Sequence, residues 1–92
     1  MTDERDLAAE TAGLEKLAAE LDRQAYAITL MSGHGRTHLH ITNRRAPVLS
    51  ERVYCEGDWF WWPWAERLGA VADLSAAAAA IDRVLQLLGG NR

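Results

Sequence analysis

Apolar residues recur at helical spacing near the start of the chain. The residues that share one helical stripe are Leu7, Leu14, Leu17, Ala18 and Leu21. Their spacing predicts an amphipathic helix over residues 3–24, because positions three, four and seven apart lie on one side of a helix. Thr2 or Asp3 is the expected N-cap. Gly13 is a weak point of about 1 kcal/mol relative to alanine, so residues 11–13 are an alternative start for this helix.

The hydrophobic period changes to two in the middle of the chain. Residues 26–32, 37–42 and 51–56 alternate in polarity or size, and this pattern predicts three β-strands. Residues 32–35 contain two glycines between the first two strands, which predicts a tight hairpin turn. A second turn is expected at residues 56–58. Short connections of this kind favour antiparallel pairing of neighbouring strands.

The chain ends in an alanine-rich helix, predicted over residues 74–88. Asp73 or Ser75 is the expected N-cap, and Gly89 is the expected stop. The residues expected to form its buried face are Ala77, Ala78, Ile81, Val84, Leu85 and Leu88. The run Ala76–Ala80 has high helix propensity and small side chains, so we expect this helix to sit close against a sheet.

These elements, in the order α-β-β-β-(β)-α, predict a single α+β domain over residues 1–92. Residues 59–62 form a short fourth strand or an extended segment in this prediction. Residues 63–68 form one helical turn, since proline suits the first helical position. We expect a two-layer α/β sandwich, in which an antiparallel meander of three to four strands carries the N- and C-terminal helices on one face.

Composition narrows the class of protein. A chain of 92 residues with 49% apolar and 25% charged residues is typical of one small globular domain. Its apolar stretches are shorter than a bilayer span, and its acidic N-terminus lacks the features of a secretory signal. The single cysteine, Cys55, cannot form a disulfide within the chain. We therefore expect a cytoplasmic protein with no membrane segment.

The net charge of −3 is unevenly distributed along the chain. Acidic residues dominate the first 22 positions, whereas the middle contains Arg36, Arg44, Arg45 and Arg52 against Glu51. Arginine beside aromatic residues can hold single-stranded nucleic acid, but a protein that relies on phosphate contacts is normally basic overall. We therefore predict no nucleic-acid binding. The arginines are expected instead to pair with acidic residues of the first helix, within or between subunits.

All four tryptophans lie in one block, Trp59-Phe60-Trp61-Trp62-Pro63-Trp64. On an extended segment Trp59 and Trp61 face one way, while Phe60 and Trp62 face the other. We expect one pair to enter the core and the other to lie on the sheet face that no helix covers. Core packing, a subunit interface and a ligand platform all remain open as roles for the block. The predicted binding or interface residues are Trp59, Phe60, Trp61, Trp62, Trp64, Tyr54, Arg44 and Arg45.

The histidines form a second, weaker candidate site. His38 and His40 share one strand face about 6.5–7 Å apart, and their side chains can close onto one metal ion. His34 in the adjoining turn and Cys55 on another strand are the further candidate ligands. Cys55 is in phase with Val53, however, which favours a buried apolar role. We therefore predict no metal and no cofactor. A metal site formed by His34, His38, His40 and Cys55 is the alternative.

No recognised catalytic motif accompanies these features. Ser32, Ser50 and Ser75 lie outside any nucleophile motif such as G-x-S-x-G. The glycine-containing turn at residues 32–35 is followed by a strand, whereas a phosphate-binding loop opens a helix. Paired carboxylates lie mostly on the acidic first helix, where solvation is their default role. We therefore predict that the protein is not an enzyme.

The order of helix, strands, tryptophan block and helix resembles that of a group of small uncharacterised bacterial proteins. The residues that carry the resemblance are Leu39–Asn43, Ala46–Tyr54, Trp59–Leu68 and Ala76–Leu85. A looser likeness, in element order alone, is to the secretion-chaperone-like α/β fold, whose members dimerise and bind peptides.

Association is therefore the function that we expect. The chain is predicted to be a non-enzymatic accessory or regulatory binding protein that acts through homodimerisation and contacts with a protein or peptide. The alternative is a small-molecule or metal-binding protein that uses the tryptophan and histidine face of the sheet.

Overall fold

The computed structural model describes residues 7–33 and 36–85. Its elements are α1 (Leu7–Glu20), β1 (Tyr26–Gly33), β2 (Arg36–Asn43), β3 (Ser50–Glu56), β4 (Trp59–Trp61), β5 (Arg67–Ala70) and α2 (Leu74–Leu85). The five strands form one sheet in the order β1-β2-β3-β4-β5, and each strand pairs antiparallel with the next. The predicted α+β fold, with N- and C-terminal helices flanking an antiparallel sheet, is confirmed.

The sheet has a fifth strand because the predicted helical turn over residues 63–68 is wrong. The amide of Ala65 donates to the carbonyl of Trp62 at 3.0 Å, and the amide of Trp62 donates to the carbonyl of Glu66 at 2.9 Å. These two bonds close a tight hairpin loop that returns the chain as β5 alongside β4. Proline suits the second position of a turn as well as the first turn of a helix, so the sequence signal did not separate the two.

Helix α1 packs its predicted stripe against the sheet. The stripe residues that are buried are Leu14, Leu17, Ala18 and Leu21. The helix already includes residues 11–13, so the alternative start there is wrong, while the predicted caps Thr2 and Asp3 lie outside the described residues. A β-carbon built on Gly13 would lie 3.2 Å from Sγ of Cys55. This glycine therefore lets the helix approach β3 closely.

Helix α2 has its N-cap at Asp73, one of the two predicted positions. Oδ1 of Asp73 accepts a hydrogen bond from the amide of Ala76 at 3.1 Å. The buried residues of the predicted face are Ala77, Ile81 and Leu85. Val84 is 37% exposed, so its predicted burial is wrong, because the sheet-facing side of α2 is narrower than expected. Leu88 and Gly89 lie outside the described residues.

The alanine-rich run brings α2 close against the sheet, as expected. A β-carbon built on Gly69 of β5 would lie 3.0 Å from Cα of Ala77. Such contact between backbones requires a glycine on one side and a small residue on the other. Neither helix in the described part of the chain is long and apolar enough to span a bilayer.

Both helices pack on the same face of the sheet. The buried residues of β1 to β4 that join the helices in the core are Tyr26, Leu39, Ile41, Val53, Cys55 and Phe60. They occupy alternate positions along β1 to β4, as expected for strands with one buried face. No other described helix or strand covers the opposite face, so the side chains at the intervening positions face away from the core.

Asn43 ties the end of β2 to the end of α2. It is 8% exposed, and its Nδ2 donates to the carbonyl of Leu85 at 2.8 Å. Its Oδ1 accepts from the amides of Arg45 at 2.8 Å and Ala46 at 3.2 Å, and these bonds order the turn after β2. Nearby, the hydroxyl of Tyr26 donates to Oδ1 of Asp82 at 2.6 Å. A small set of polar contacts thus fixes α2 against the sheet.

Replacing Asn43 by alanine should therefore destabilise the fold. We expect Asn43→Ala to lower the free energy of unfolding by about 2–3 kcal/mol, since the buried carbonyl of Leu85 loses its donor. Urea denaturation followed by circular dichroism measures this loss. Thr42→Ala, which removes one part-buried bond to Ser50, is the matched control and should cost under about 1 kcal/mol. Equal losses in the two variants would contradict the role assigned to Asn43.

Candidate functional site

The candidate site is the sheet face opposite the helices, which we call the open face. Its residues are Thr29, Met31, His38, His40, Arg52, Tyr54, Glu56, Trp59, Trp61 and Arg67, as strand alternation and pairing place them. The five strands present these side chains in rows across the sheet. The prediction that one pair of the block enters the core while the other lies on this face agrees with the burial of Phe60 and Trp62, at 0% and 5% exposure; the sequence did not say which pair.

One row of the open face is aromatic across three strands. His38 and Tyr54 have ring centroids 5.3 Å apart at an angle of 42°. Tyr54 lies opposite Trp61 on β4, and Met31 lies opposite His38 on β1. Cross-strand pairs of aromatic side chains such as these stabilise a sheet.

Trp59 lies two positions before Trp61 on β4, opposite Glu56, and is 38% exposed. The guanidinium carbon of Arg67 sits 4.2 Å from the centroid of its ring, a cation–π contact. Pairing between β4 and β5 shifts by one residue between Phe60 and Trp61, and this bulge aims Arg67 back toward Trp59. The sequence prediction missed Arg67, because it placed this residue in a helical turn.

The β4–β5 loop forms one wall beside the open face. The rings of Trp62 and Trp64 stack with centroids 5.0 Å apart and planes within 7°. Nε1 of Trp64 donates to Oε1 of Glu66 at 2.9 Å, which anchors a ring that is otherwise 50% exposed. Ala65 has a φ of 66°, a left-handed conformation. Such a position costs a residue other than glycine about 1–3 kcal/mol, so the surrounding contacts hold this wall in a strained shape.

A groove of about 510 Å³ runs between β3 and this wall. Its lining residues are Arg52, Tyr54, Glu56, Trp61, Trp62, Pro63 and Ala65. Arg52 and Glu56 lie four residues apart on one strand, so roughly 13 Å separates their Cα atoms. The groove is therefore lined by a basic side chain, an acidic side chain and aromatic rings between them. This arrangement suits a flat or extended ligand with polar groups at its ends.

Two buried nitrogens on the open face have no hydrogen-bond partner among the described residues. They are Nδ1 of His38 and Nε1 of Trp61. Each belongs to a half-buried side chain, and the two side chains flank Tyr54 in the aromatic row. Buried polar atoms are nearly always bonded in folded proteins, and leaving one unpaired costs about 1–3 kcal/mol. The centre of the open face therefore contains two polar atoms whose hydrogen bonds the described residues do not satisfy.

The structure separates the predicted binding residues into three groups. Tyr54, Trp59 and Trp61 lie on the open face, with Trp62 and Trp64 in the wall beside it. Phe60 is fully buried in the core. Arg44 and Arg45 follow β2 in the β2–β3 loop, outside the aromatic row. Nε of Arg44 donates to the carbonyl of Arg23 at 2.9 Å, so this side chain holds the connection between α1 and β1.

The four candidate metal ligands are not brought together. His38 and His40 share the open face, and Nε2 of His40 lies 2.8 Å from Oγ of Ser50. Cys55 is buried on the opposite, helix-covered face, so it cannot join them. His34 lies outside the described residues. No group of three histidine, cysteine or acidic side chains in residues 7–33 and 36–85 is placed to hold a metal ion.

Comparison of the chain with protein-family models, curated proteins and solved structures finds no significant match to any of them. The resemblance to small bacterial proteins and to the secretion-chaperone-like fold therefore stays a prediction. The open face and its groove are what the structure offers for an assignment of function.

Neighbouring aromatic residues of the block should differ sharply in their effect on stability. Phe60→Ala should lower the free energy of unfolding by about 3–5 kcal/mol, because it empties a fully buried site. Trp59→Ala should cost about 1 kcal/mol, since it removes a partly exposed ring and one cation–π contact. Thermal and urea unfolding measure both changes. A loss at Trp59 as large as that at Phe60 would mean that Trp59 is a core residue.

Proposed function

We propose that this protein is an accessory or regulatory binding protein that acts by association, as a homodimer that contacts a further protein through its open face. The single observation that carries the proposal is the half-buried aromatic row formed by His38, Tyr54 and Trp61, over which no described helix or strand packs. A face of this kind is unusual for a small domain unless something covers it. The cytoplasm is the proposed location, since the chain's single cysteine cannot form an internal disulfide.

The chemistry of the open face supports a protein partner. Tryptophan, tyrosine and arginine are the residues most enriched at the energetic centres of protein interfaces. Here Trp59 and Trp61 lie with Arg52 and Arg67 on one surface.

A small-molecule ligand is the second candidate, favoured by the groove beside the β4–β5 loop. Its volume of about 510 Å³ falls within the roughly 300–1,000 Å³ typical of ligand pockets. Aromatic walls between Arg52 and Glu56 suit a planar ligand with a polar group at each end. Native mass spectrometry of protein isolated from its source cells distinguishes the candidates, because a retained molecule below about 1 kDa supports this second one.

Self-association is the first part of the proposal to test. Light scattering at micromolar concentration should give about twice the chain mass of 10.2 kDa. The physical reason is that the helices and strands of the described residues leave one face of the sheet and its β1 edge without a packing neighbour. Dilution to nanomolar concentration should release monomer if the pairing is reversible. A single-chain mass across the whole range would reject the homodimer.

Contact with a partner should depend on the exposed tryptophans. We expect the double change Trp59→Ser and Trp64→Ser to reduce capture of a partner protein from source-cell extract by roughly tenfold or more. Val48→Ser is the matched control, because Val48 is an exposed apolar residue, 88% accessible, in the β2–β3 loop. Quantitative mass spectrometry measures the captured protein. Equal capture by the control and the double variant would show that the exposed tryptophans do not carry the contact.

A further inference from the structure

Strand β1 is an edge of the sheet that lacks the usual protection. Its sequence, YAITLMSG, contains no charged residue and no proline over eight residues. The other edge, β5, has only four residues, begins with Arg67 and carries the bulge opposite β4. Natural proteins blunt exposed edges with charge, proline, bulges or short length, because a free edge can add another strand. By these criteria β5 is protected and β1 is not.

The alternation of backbone hydrogen bonds between β1 and β2 shows which amides and carbonyls of β1 point away from the sheet. The amide of Arg44 donates to the carbonyl of Ala25 at 2.9 Å, across the start of the β1–β2 ladder. In an antiparallel pair the bonded positions alternate, so Ala27, Thr29 and Met31 exchange bonds with β2. The amides and carbonyls of Ile28, Leu30 and Ser32 are therefore directed away from the sheet.

The side chains and charge of β1 suit a second copy of the same strand. Leu30 is 38% exposed and Met31 is 44% exposed, one on each face of the sheet. Two chains that each carry a net charge of −3 repel each other overall. The uncharged edge is where two copies can meet without placing like charges opposite each other.

We propose that two copies of this protein pair antiparallel through their β1 edges, with the twofold axis at Thr29. This inference rests on the proposed homodimer and names the place where the two chains meet. In this register Ile28 lies opposite Leu30 of the second copy, and both residues use outward amides and carbonyls. Ala27 then lies opposite Met31, which places a small side chain against a large one. The pair forms one continuous sheet of ten strands.

The symmetry of this pairing has a consequence for the open face. An antiparallel pair of identical strands has its twofold axis perpendicular to the sheet, so both copies turn the same face to the same side. The aromatic rows of the two copies then lie on one side of the continuous sheet. The edge contact leaves both rows uncovered, ready for one extended partner or for two.

Charge substitutions at the proposed axis test the pairing directly. Thr29 is exposed on the open face, so a charge there leaves the core intact. Thr29→Lys and Thr29→Glu should each weaken dimerisation by roughly tenfold or more, because like charges meet at the axis. An equimolar mixture of the two variants should restore a dimer, which contains one lysine chain and one glutamate chain. Analytical ultracentrifugation measures the masses, and circular dichroism checks that each variant is folded.

Matched controls test whether an added charge weakens dimerisation wherever it is placed. Ala72→Lys and Ala72→Glu place the same charges on an exposed residue in the turn after β5, at the other edge of the sheet. Both controls should dimerise like the wild type. If Thr29→Lys and Thr29→Glu also dimerise like the wild type, the β1 pairing is wrong while the proposed homodimer stands. A mixture of folded Thr29→Lys and Thr29→Glu chains that stays monomeric likewise overturns the β1 pairing. A monomeric wild type overturns both the homodimer and the β1 pairing.

A cysteine at the axis gives a second, independent measurement. The two copies of residue 29 would form a non-hydrogen-bonded pair with Cα atoms about 4.5 Å apart, within disulfide range. Thr29→Cys should therefore form a covalent dimer on mild oxidation, seen on non-reducing gels. Ala72→Cys, at the opposite edge, should remain largely uncrosslinked. Equal crosslinking of the two variants would overturn the assignment of the axis.

Discussion

Both helices of this protein lie on one face of a five-stranded sheet, and the rest of the structure depends on that one-sided packing. Two close approaches enforce it: Gly13 of α1 meets Cys55 of β3, and Gly69 of β5 meets Ala77 of α2. A methyl group at Gly13 would crowd Sγ of Cys55, and one at Gly69 would crowd the backbone of Ala77, so these neighbours would have to shift. The strand residues beneath the helices are consequently sealed from water, and their neighbours along each strand are turned the other way.

The same alternation divides the tryptophan block between two tasks. Phe60 and Trp62 complete the core, whereas Trp59 and Trp61 lie on the face that no described element covers. A single short strand thus contributes to stability with one side and to a candidate binding surface with the other. The strained loop at Ala65 and the stacked rings of Trp62 and Trp64 give that surface a raised wall. Open face, groove and wall together form the region on which the proposed function rests.

The proposed contacts use separate parts of the sheet. The open face is aromatic and carries arginine, which suits a partner protein, while β1 is uncharged and offers backbone groups to another strand. Because pairing through an edge leaves the faces of the sheet accessible, the proposed dimer would not compete with the proposed partner contact. On the helix-covered side of the sheet, Asn43 and Tyr26 anchor α2 by hydrogen bonds. These bonds hold the helical layer in place against the sheet.

The sequence by itself determined the periodic parts of the fold. Helical spacing in α1 and α2, period-two alternation in β1 to β3, and the two-way split of Trp59 to Trp62 all follow from local geometry, because each pattern repeats over several residues. Tertiary structure alone decided the β4–β5 hairpin, where the sequence predicted a helical turn over residues 63–68. Proline suits both structures, and only pairing with β4 selects the hairpin. Tertiary structure also decided that Cys55 lies away from the histidines and that Arg67 covers Trp59. Such contacts join residues from different strands, and no local pattern in a chain records which strands become neighbours.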